Sequence, residues 1–369
     1  MRLRFWVCAA KSGNVLGEVR VSGGSTLTSR FGGGTCSLTV SLGHLTTRDG
    51  LGVDLAAAGR VLDWLTVGRS TILVTSGTRV IGEWIVMKRG LVAPSGTVPI
   101  TGMEWAGYPA LRSLNTNFLY NGTEQMVIAR AAWDQAFKSF NTGMTITIPS
   151  SGSTGVVRSM SHLSHEAYYS DVLEEIGEAD DGFEWHVDIS ATWSNGVPTK
   201  ATRTIVWGHP TLSRSSSLTL SQSSPGGRQG NLVDLSGGED FARYAQSVYG
   251  FGAGEGEKRF WVGLSDPSGT NAGNLNSTKN VSFPGIEKES TLTALTRAEL
   301  KRSQDLRDPF AASALIEKLP SLPVVGNQVR LRVDPTWTYP TGLNTTLRVG
   351  QVEYSPTGHE VDLVKVLAA

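Results

Sequence analysis

Thr71-Ile-Leu-Val-Thr-Ser-Gly-Thr-Arg-Val-Ile-Gly-Glu-Trp-Ile-Val-Met87 holds two apolar runs, Thr71 to Val74 and Arg79 to Met87, on either side of Ser76-Gly77. Val, Ile, Thr and Trp suit the pleated surface of a strand, and Gly supplies the positive φ that a tight hairpin turn requires. The segment therefore predicts a β-hairpin. Working outward, similar short runs stand at Leu3 to Val7, Val15 to Val21 and Cys36 to Leu42, separated by Gly and Ser clusters. Many short strands joined by Gly-rich turns predict a small barrel or sandwich over the first hundred residues.

The whole chain has 369 residues with 33 basic and 33 acidic side chains, 43 Gly, two Cys and 39 % apolar residues. That length suits two to three domains, each able to bury a core. No apolar run approaches the ~20 residues of a membrane-spanning helix, and ten Trp with 18 % charged residues argue against disorder. The amino terminus imitates a signal peptide with Arg2 and Arg4, but its apolar stretch, Phe5 to Ala10, is short of the ~7 to 15 residues used for secretion, and Lys11 closes it. It reads as a first strand. Cys8 and Cys36 make no disulfide framework and read as two buried thiols in a reducing compartment.

Charge is uneven along the chain. Residues 1–150 carry 14 basic and 8 acidic side chains, 151–209 carry 3 and 9, and the remainder 16 and 16. A nucleic-acid-gripping surface needs a concentrated basic excess, which is missing. The asymmetry instead permits attraction between neighbouring domains or subunits.

The period changes after residue 120. Met126, Ala129, Trp133, Ala136, Phe137 and Phe140 fall on one helical face, with Arg130, Asp134 and Lys138 stepping by four on another. Tyr169, Val172, Leu173 and Ile176 repeat the pattern, and Gly177 or Gly182 can stop that helix. Phe183 to Ile189 and Arg203 to Trp207 read as strands flanking the Ser194-Asn-Gly turn. Beyond 210, Leu218 to Leu220, Leu232 to Leu235 and Arg259 to Leu264 are strand-like, Gly238 to Tyr249 reads as a short helix, and Thr291 to Arg302 as another. Val329 to Val333, Leu347 to Tyr354 and Val361 to Leu367 return to strands. Ser355-Pro-Thr-Gly358 reads as a type I turn, and the phase shift at Gly350 as a bulge. The modules run barrel, α/β, α/β, barrel.

Three clusters could carry chemistry. His162 and His165, followed by Glu166 and Asp171, could surround a metal, but no third spaced ligand is visible and a polar helix start explains them. Glu174, Glu175, Glu178, Asp180, Asp181 and Glu184 could supply a glycosidase carboxylate pair, yet read more simply as a solvated acidic face. Gly250-Phe-Gly-Ala-Gly-Glu-Gly256 resembles a phosphate loop only in glycine count: it follows a helix in this reading and precedes a strand, the reverse of a nucleotide loop. Trp84, Trp133 and Trp185 read as core rather than as sugar-stacking platforms. The N-x-S/T tripeptides at Asn121, Asn276, Asn280 and Asn344 carry no weight without secretion. No catalytic, cofactor-binding or metal-ligating residue is assigned, and no cofactor is expected.

Several phrases, in order, resemble one family, the minor tail proteins of long-tailed phages of actinobacteria, which look like baseplate or tail-tip hub proteins. They are Ile81-Gly-Glu-Trp-Ile-Val86, Glu124-Gln-Met-Val-Ile-Ala-Arg130, Tyr169 to Val187 with Gly182-Phe-Glu-Trp185, Trp207-Gly-His-Pro210, Gly230-Asn-Leu232, Gly250 to Gly256, and Tyr339-Pro-Thr-Gly342 followed by Leu347-Arg-Val-Gly350. The resemblance implies an α+β multidomain chain: two small antiparallel β-barrels with interposed α/β domains, assembling as a homotrimer whose paired barrels give a pseudo-sixfold ring. By that analogy the first barrel is 1–102, the α/β domain 103–209, and the second barrel 210–236 with 309–369, around an α/β insertion at 237–308.

The implied role is a non-enzymatic structural part of a siphovirus virion, at the tail tip and assembled in the host cytoplasm. Its implied partners are its own copies, the distal tail protein, the tape measure protein and receptor-binding tip proteins, with phage DNA passing through and not specifically bound. Longer relatives append peptidase, lysozyme or fibre-like regions; ending at Ala369, directly after the second barrel, implies none here. The rival expectation is a tail-associated peptidoglycan hydrolase or carbohydrate-binding module.

Overall fold

The computed structural model describes residues 2–47, 54–139, 144–222, 230–238, 240–254, Gly256, 259–284, Ile286, 288–304, 310–356 and 363–369. The first elements are β1 (Arg4–Ala9), β2 (Val15–Arg30), β3 (Thr35–Ser41), α1 (Leu55–Trp64), β4 (Ser70–Ser76), β5 (Arg79–Arg89) and β6 (Thr97–Glu104). Antiparallel pairing runs β1–β2–β3–β6–β5–β4 and back to β1, closing a six-stranded barrel. Closure pairs backbone groups that an open sheet would leave at its edges, and the far end of β2 extends beyond it. Alternate residues such as Phe5, Val7, Val19, Leu38, Ile72, Val74, Trp84 and Val98 fill the interior.

The β4–β5 hairpin turns at Gly77, φ 56°, as Ser76-Gly77 predicts. Two expectations fail here. β2 does not stop at Val21: it passes an irregularity between Ser22 and Thr26 and continues to Arg30. α1 interrupts what reads as pure β-sequence. Asp54 caps it, its carboxylate accepting the Ala57 N–H at 2.9 Å, while Ala58 and Val61 are its buried residues. So narrow an apolar stripe gives little periodicity to detect. Trp64 lies over Gly17, where a Cβ would fall 2.2 Å from the indole.

Next come β7 (Phe118–Glu124), α2 (Gln125–Lys138), β8 (Ile146–Thr147), β9 (Val157–His162), α3 (Tyr169–Glu178), β10 (Glu184–Ser194) and β11 (Val197–Gly208). β10, β11 and β8 form one sheet, and β7 pairs with β9. α2 buries Met126, Ala129, Trp133, Ala136 and Phe137, as its period predicts; Phe140 lies outside the described residues. The β10–β11 turn places Asn195 at φ 50° and Gly196 at φ 75°, the left-handed pair that a two-residue hairpin needs. α3 runs through Gly177 to Glu178, and Ala179, not a glycine, is its C-cap.

The remaining elements are β12 (Thr219–Ser221), β13 (Leu232–Ser236), β14 (Ser247–Phe251), β15 (Trp261–Ser265), α4 (Ser268–Asn271), β16 (Thr278–Ser282), α5 (Glu289–Ser303), β17 (Ala311–Leu315), β18 (Gln328–Val333), β19 (Leu343–Tyr354) and β20 (Leu363–Ala368). β12–β18–β19–β20–β17–β13 are hydrogen-bonded in that order. Asn231 bridges the remaining gap: its N–H donates to Ser221 O at 2.9 Å, its Oδ1 accepts the Ser221 N–H at 2.9 Å, and its Nδ2 donates to Thr219 O at 2.8 Å. Numbered along each set, both barrels follow one cyclic order: first, second, third, sixth, fifth, fourth. They differ in the opening strand, since β1 is antiparallel to β4 whereas β12 is parallel to β18.

The barrels are joined edge to edge where Leu27 to Arg30 of β2 pair with Gln351 to Tyr354 of β19, and one apolar core takes residues from both. The bulge expected at Gly350 is present between Val349 and Gln351. The helix expected at Gly238 to Tyr249 is not: the described residues there make a single 3-10 turn, Phe241–Arg243, followed by β14. Apolar Val248 points inward from a strand whose neighbours alternate outward, and pairing with β15 and β16 outweighs local helical spacing. Gly250 thus lies within a strand and does not follow a helix. Glu255, Thr357 and Gly358, and the first residues of the expected strand from Val361, lie outside the described residues. No helix among the described residues is long and apolar enough to cross a membrane.

Candidate functional site

The densest polar construction lies where the first barrel meets β11. Glu83 on β5 and Arg203 on β11, 120 residues apart, are both completely buried. Glu83 Oε1 accepts from Arg203 Nη2 at 2.6 Å and from the Thr71 hydroxyl at 2.5 Å. Oε2 accepts from Arg203 Nε at 2.8 Å and from Trp105 Nε1 at 3.0 Å. Arg203 Nη1 donates to Ala10 O at 2.7 Å, and the guanidinium lies 4.2 Å from the centroid of the Trp105 ring. A bidentate pair whose carboxylate accepts four hydrogen bonds and whose guanidinium donates from all three nitrogens can be tolerated in the interior. Its carboxylate has no free face to offer a substrate, so the pair acts as a rivet. Burial pushes the nearby Cys8 thiol far up, and Cys36 to about 12; both are unpaired buried thiols.

A cleft of about 290 Å³ opens between the first barrel, the β10–β11 hairpin and the second barrel. Glu104 at the end of β6 lines it; one carboxylate oxygen accepts the Gly34 N–H at 2.5 Å and the Arg30 N–H at 3.3 Å. Burial nevertheless raises its pKa to about 7, against the lowering effect of those bonds and of Ser29. Across the cleft, His186 is buried with no hydrogen-bond partner at Nδ1, and desolvation lowers its pKa to about 4. Asp188 accepts from Arg214 at 2.8 and 3.0 Å, and Glu184 accepts from Arg348 and from the Leu212 N–H at 2.9 Å. These links tie β10 to the segment leading into the second barrel and to β19.

The sequence candidates fall apart as chemical clusters. His162 bonds Glu175 at 2.7 Å, which raises its pKa, whereas His165 sits exposed on a loop at φ 69°. Asp171 caps α3 through the Tyr168 N–H. Among the described residues no three His, Cys, Asp or Glu side chains are placed to hold a metal. The acidic run is only partly a solvated face. Glu174, Glu178 and Asp181 are exposed, but Glu175, Asp180 and Glu184 bind His162, Lys301 of α5 and Arg348 respectively. Three of the six are cross-links because each meets a basic side chain from another element, which sequence spacing cannot show. Trp84 and Trp133 are core, and Trp185 packs half-buried against Trp133. The joint residues Glu83, Arg203, Glu104 and His186 went unmarked; the available signal was a lone carboxylate, Glu83, inside an apolar strand.

No protein-family model matches the chain, and no curated protein is significantly similar to it in sequence. Solved structures are similar to it in fold. A tail protein from Neisseria meningitidis MC58 is 11 % identical with a TM-score of 0.58, the match covering 100 % of this chain and 96 % of that one. The 43 kDa tail protein of prophage MuSo2 from Shewanella oneidensis is 10 % identical with a TM-score of 0.57, covering 99 % of this chain and 98 % of that one. The fold is therefore that of tail-hub-like proteins: α+β, with small barrels that are antiparallel except at β12–β18, and interposed α/β elements.

Proposed function

We propose that this chain is a structural protein of a phage tail tip, a baseplate hub that assembles as a homotrimeric ring. One observation carries the reading: two six-stranded barrels of the same cyclic strand order sit in a chain that matches phage tail proteins along its whole length. Three copies with two similar barrels each give six similar units around an axis, the arrangement that lets a trimer meet a sixfold tail ring. In this reading the domains are 1–102, 103–209, 210–236 with 309–369, and 237–308.

The hub joins the tail tube and distal tail protein of an actinobacterial siphovirus to tape measure and receptor-binding proteins, is assembled in the host cytoplasm, and works without catalysis. A formal net charge of zero suits a channel through which DNA slides without sticking. Native mass spectrometry of the purified protein and cryo-electron microscopy of tail tips test it: three copies in a closed ring are expected. A chain that is monomeric both at high concentration and in particles overturns the proposal.

A further inference from the structure

The sheet of β15, β14 and β16 has one covered face and one open face. α5 packs across β14 and β15, with Val248, Val262 and Leu264 directed toward it. Gly250 lies so close that a Cβ would come 2.0 Å from the Thr296 hydroxyl. Strand alternation sends the intervening residues to the other side. Tyr249, paired with Gly263 and Asn280, and Phe251, paired with Trp261 and Ser282, therefore share the open face. Trp261 is 57 % exposed and Tyr249 37 %. Their ring centroids are 6.0 Å apart with 58° between the planes. Gly263 makes this possible, since a Cβ there would meet Tyr249 at 3.0 Å and Trp261 at 3.2 Å. The two rings lean over bare backbone as a shallow saddle.

Beside the saddle lies a hollow of about 420 Å³ bounded by Phe251, Arg259, Trp261, Asn280 and Ser282. The Arg259 guanidinium is 5.2 Å from the Phe251 centroid and donates to Gly252 O at 3.3 Å and to the Ser282 hydroxyl, so its charge is held in the wall. Between the rings the three strands present only Ser, Thr, Asn and Gly on this side. Among the described residues of these strands, none there is Asp, Glu or Lys.

A stacking platform for nucleic acid adds several cations for the phosphates. A protein-docking face centres on a closed apolar core. Among its described residues this face has a single cation, Arg259, tied into the wall, and its rings lean over bare backbone without closing into a core. Its pattern, exposed aromatic rings edged by uncharged hydroxyl and amide groups, matches a ligand with an apolar C–H face and a rim of uncharged hydroxyls. We infer that the open face of β15–β14–β16 binds an uncharged oligosaccharide. Trp261 and Tyr249 stack on successive pyranose rings, and Asn280, Ser282 and Arg259 exchange hydrogen bonds with the sugar hydroxyls. The inference does not rest on ring assembly.

Isothermal titration with maltohexaose, cellohexaose and chitohexaose, checked by intrinsic tryptophan fluorescence, tests the assignment on the full chain. Saturable binding of at least one probe is expected, weakened about tenfold or more in both Trp261→Ala and Tyr249→Ala. It should be retained in Trp337→Ala, which removes a fully exposed indole at a hairpin tip. Unchanged far-ultraviolet circular dichroism and Tm show that these surface variants fold. Lack of saturable binding for all three probes overturns the assignment, and so does binding that survives Trp261→Ala. Single-stranded DNA bound at this face in place of every sugar also overturns it.

Discussion

Glu104 and His186 line one cleft and have pKa values displaced toward each other's ordinary range, with opposite consequences for stability. The folded-state pKa of Glu104 is raised from 4.5 to about 7, so the native state holds a proton that the unfolded state releases. Its contribution, ~3 kcal/mol at most, is complete below about 4.5 and disappears as pH rises toward 7. That of His186 is lowered from 6.5 to about 4, so its contribution is complete above 6.5 and is lost as pH falls toward 4. Between about 4.5 and 6.5 the two slopes oppose and should cancel, so this pair adds no net pH dependence to the intact protein there. Glu104→Gln should leave stability rising with pH across that window, and His186→Gln should leave it falling; urea unfolding at a series of pH values measures both. The Glu83–Arg203 rivet makes a second contrast. Arg203→Met strands a buried carboxylate and should cost about 3 to 5 kcal/mol. Arg4→Ala, which breaks the exposed 2.7 Å pair with Glu18, should cost under about 1 kcal/mol in the same assay.

Elements were legible where a period of two or 3.6 persisted over several residues and met turn chemistry. The β4–β5 and β10–β11 hairpins, the buried stripe of α2 and the bulge at Gly350 all belong to that class. α1 was hidden because Ala58 and Val61 alone define its inward side, and the expected helix before Tyr249 gave way because tertiary pairing decides short apolar runs. The joint was largely illegible for a further reason: beyond the lone carboxylate of Glu83 in an apolar strand, nothing marks its partner until the fold brings Arg203, 120 positions later, against it. Asn231 belongs to this class as well. Its phrase, Gly230-Asn-Leu232, stood out in the sequence, but its work did not: both ends of the side chain replace strand hydrogen bonds between β12 and β13. Asn231→Ala removes two bonds at a nearly buried seam and should lower stability by about 1 to 3 kcal/mol. Hydrogen exchange should then accelerate at Leu220 and Ser221 first, while β4 and β5 of the other barrel keep their protection.

At the scale of the whole molecule, the two barrels and the insertion are held by different means. The barrels share one apolar core and a backbone seam, Leu27 to Arg30 against Gln351 to Tyr354, so neither can open without exposing the other. The insertion's apolar residues form two small clusters, one around Leu292 with Leu295, which Ala179 at the end of α3 joins, and one around Val248 with Leu300. Beyond the small Ala179 contact and the Thr291 hydroxyl on Ser159 O at 3.2 Å, its links to the α/β elements are polar and mostly exposed: Lys301 to Asp180, Arg302 to Glu178 O at 3.0 Å, and Lys288 to Asn121 at 3.3 Å. Exposed polar contacts of this kind contribute a fraction of a kcal/mol each, and one small apolar contact adds little beside a shared core. Stability should therefore be unequal, with the insertion opening as a separate low-energy unit and the fused barrels opening together near the global limit. Native-state hydrogen exchange in rising urea should show amides of β14, β15 and α5 merging into one early isotherm, and amides of β5 and β19 into one late isotherm. If β5 and β19 exchanged on separate isotherms, the seam would not couple the barrels. If α5 exchanged with β19, the polar links would hold far more strongly than their exposure allows.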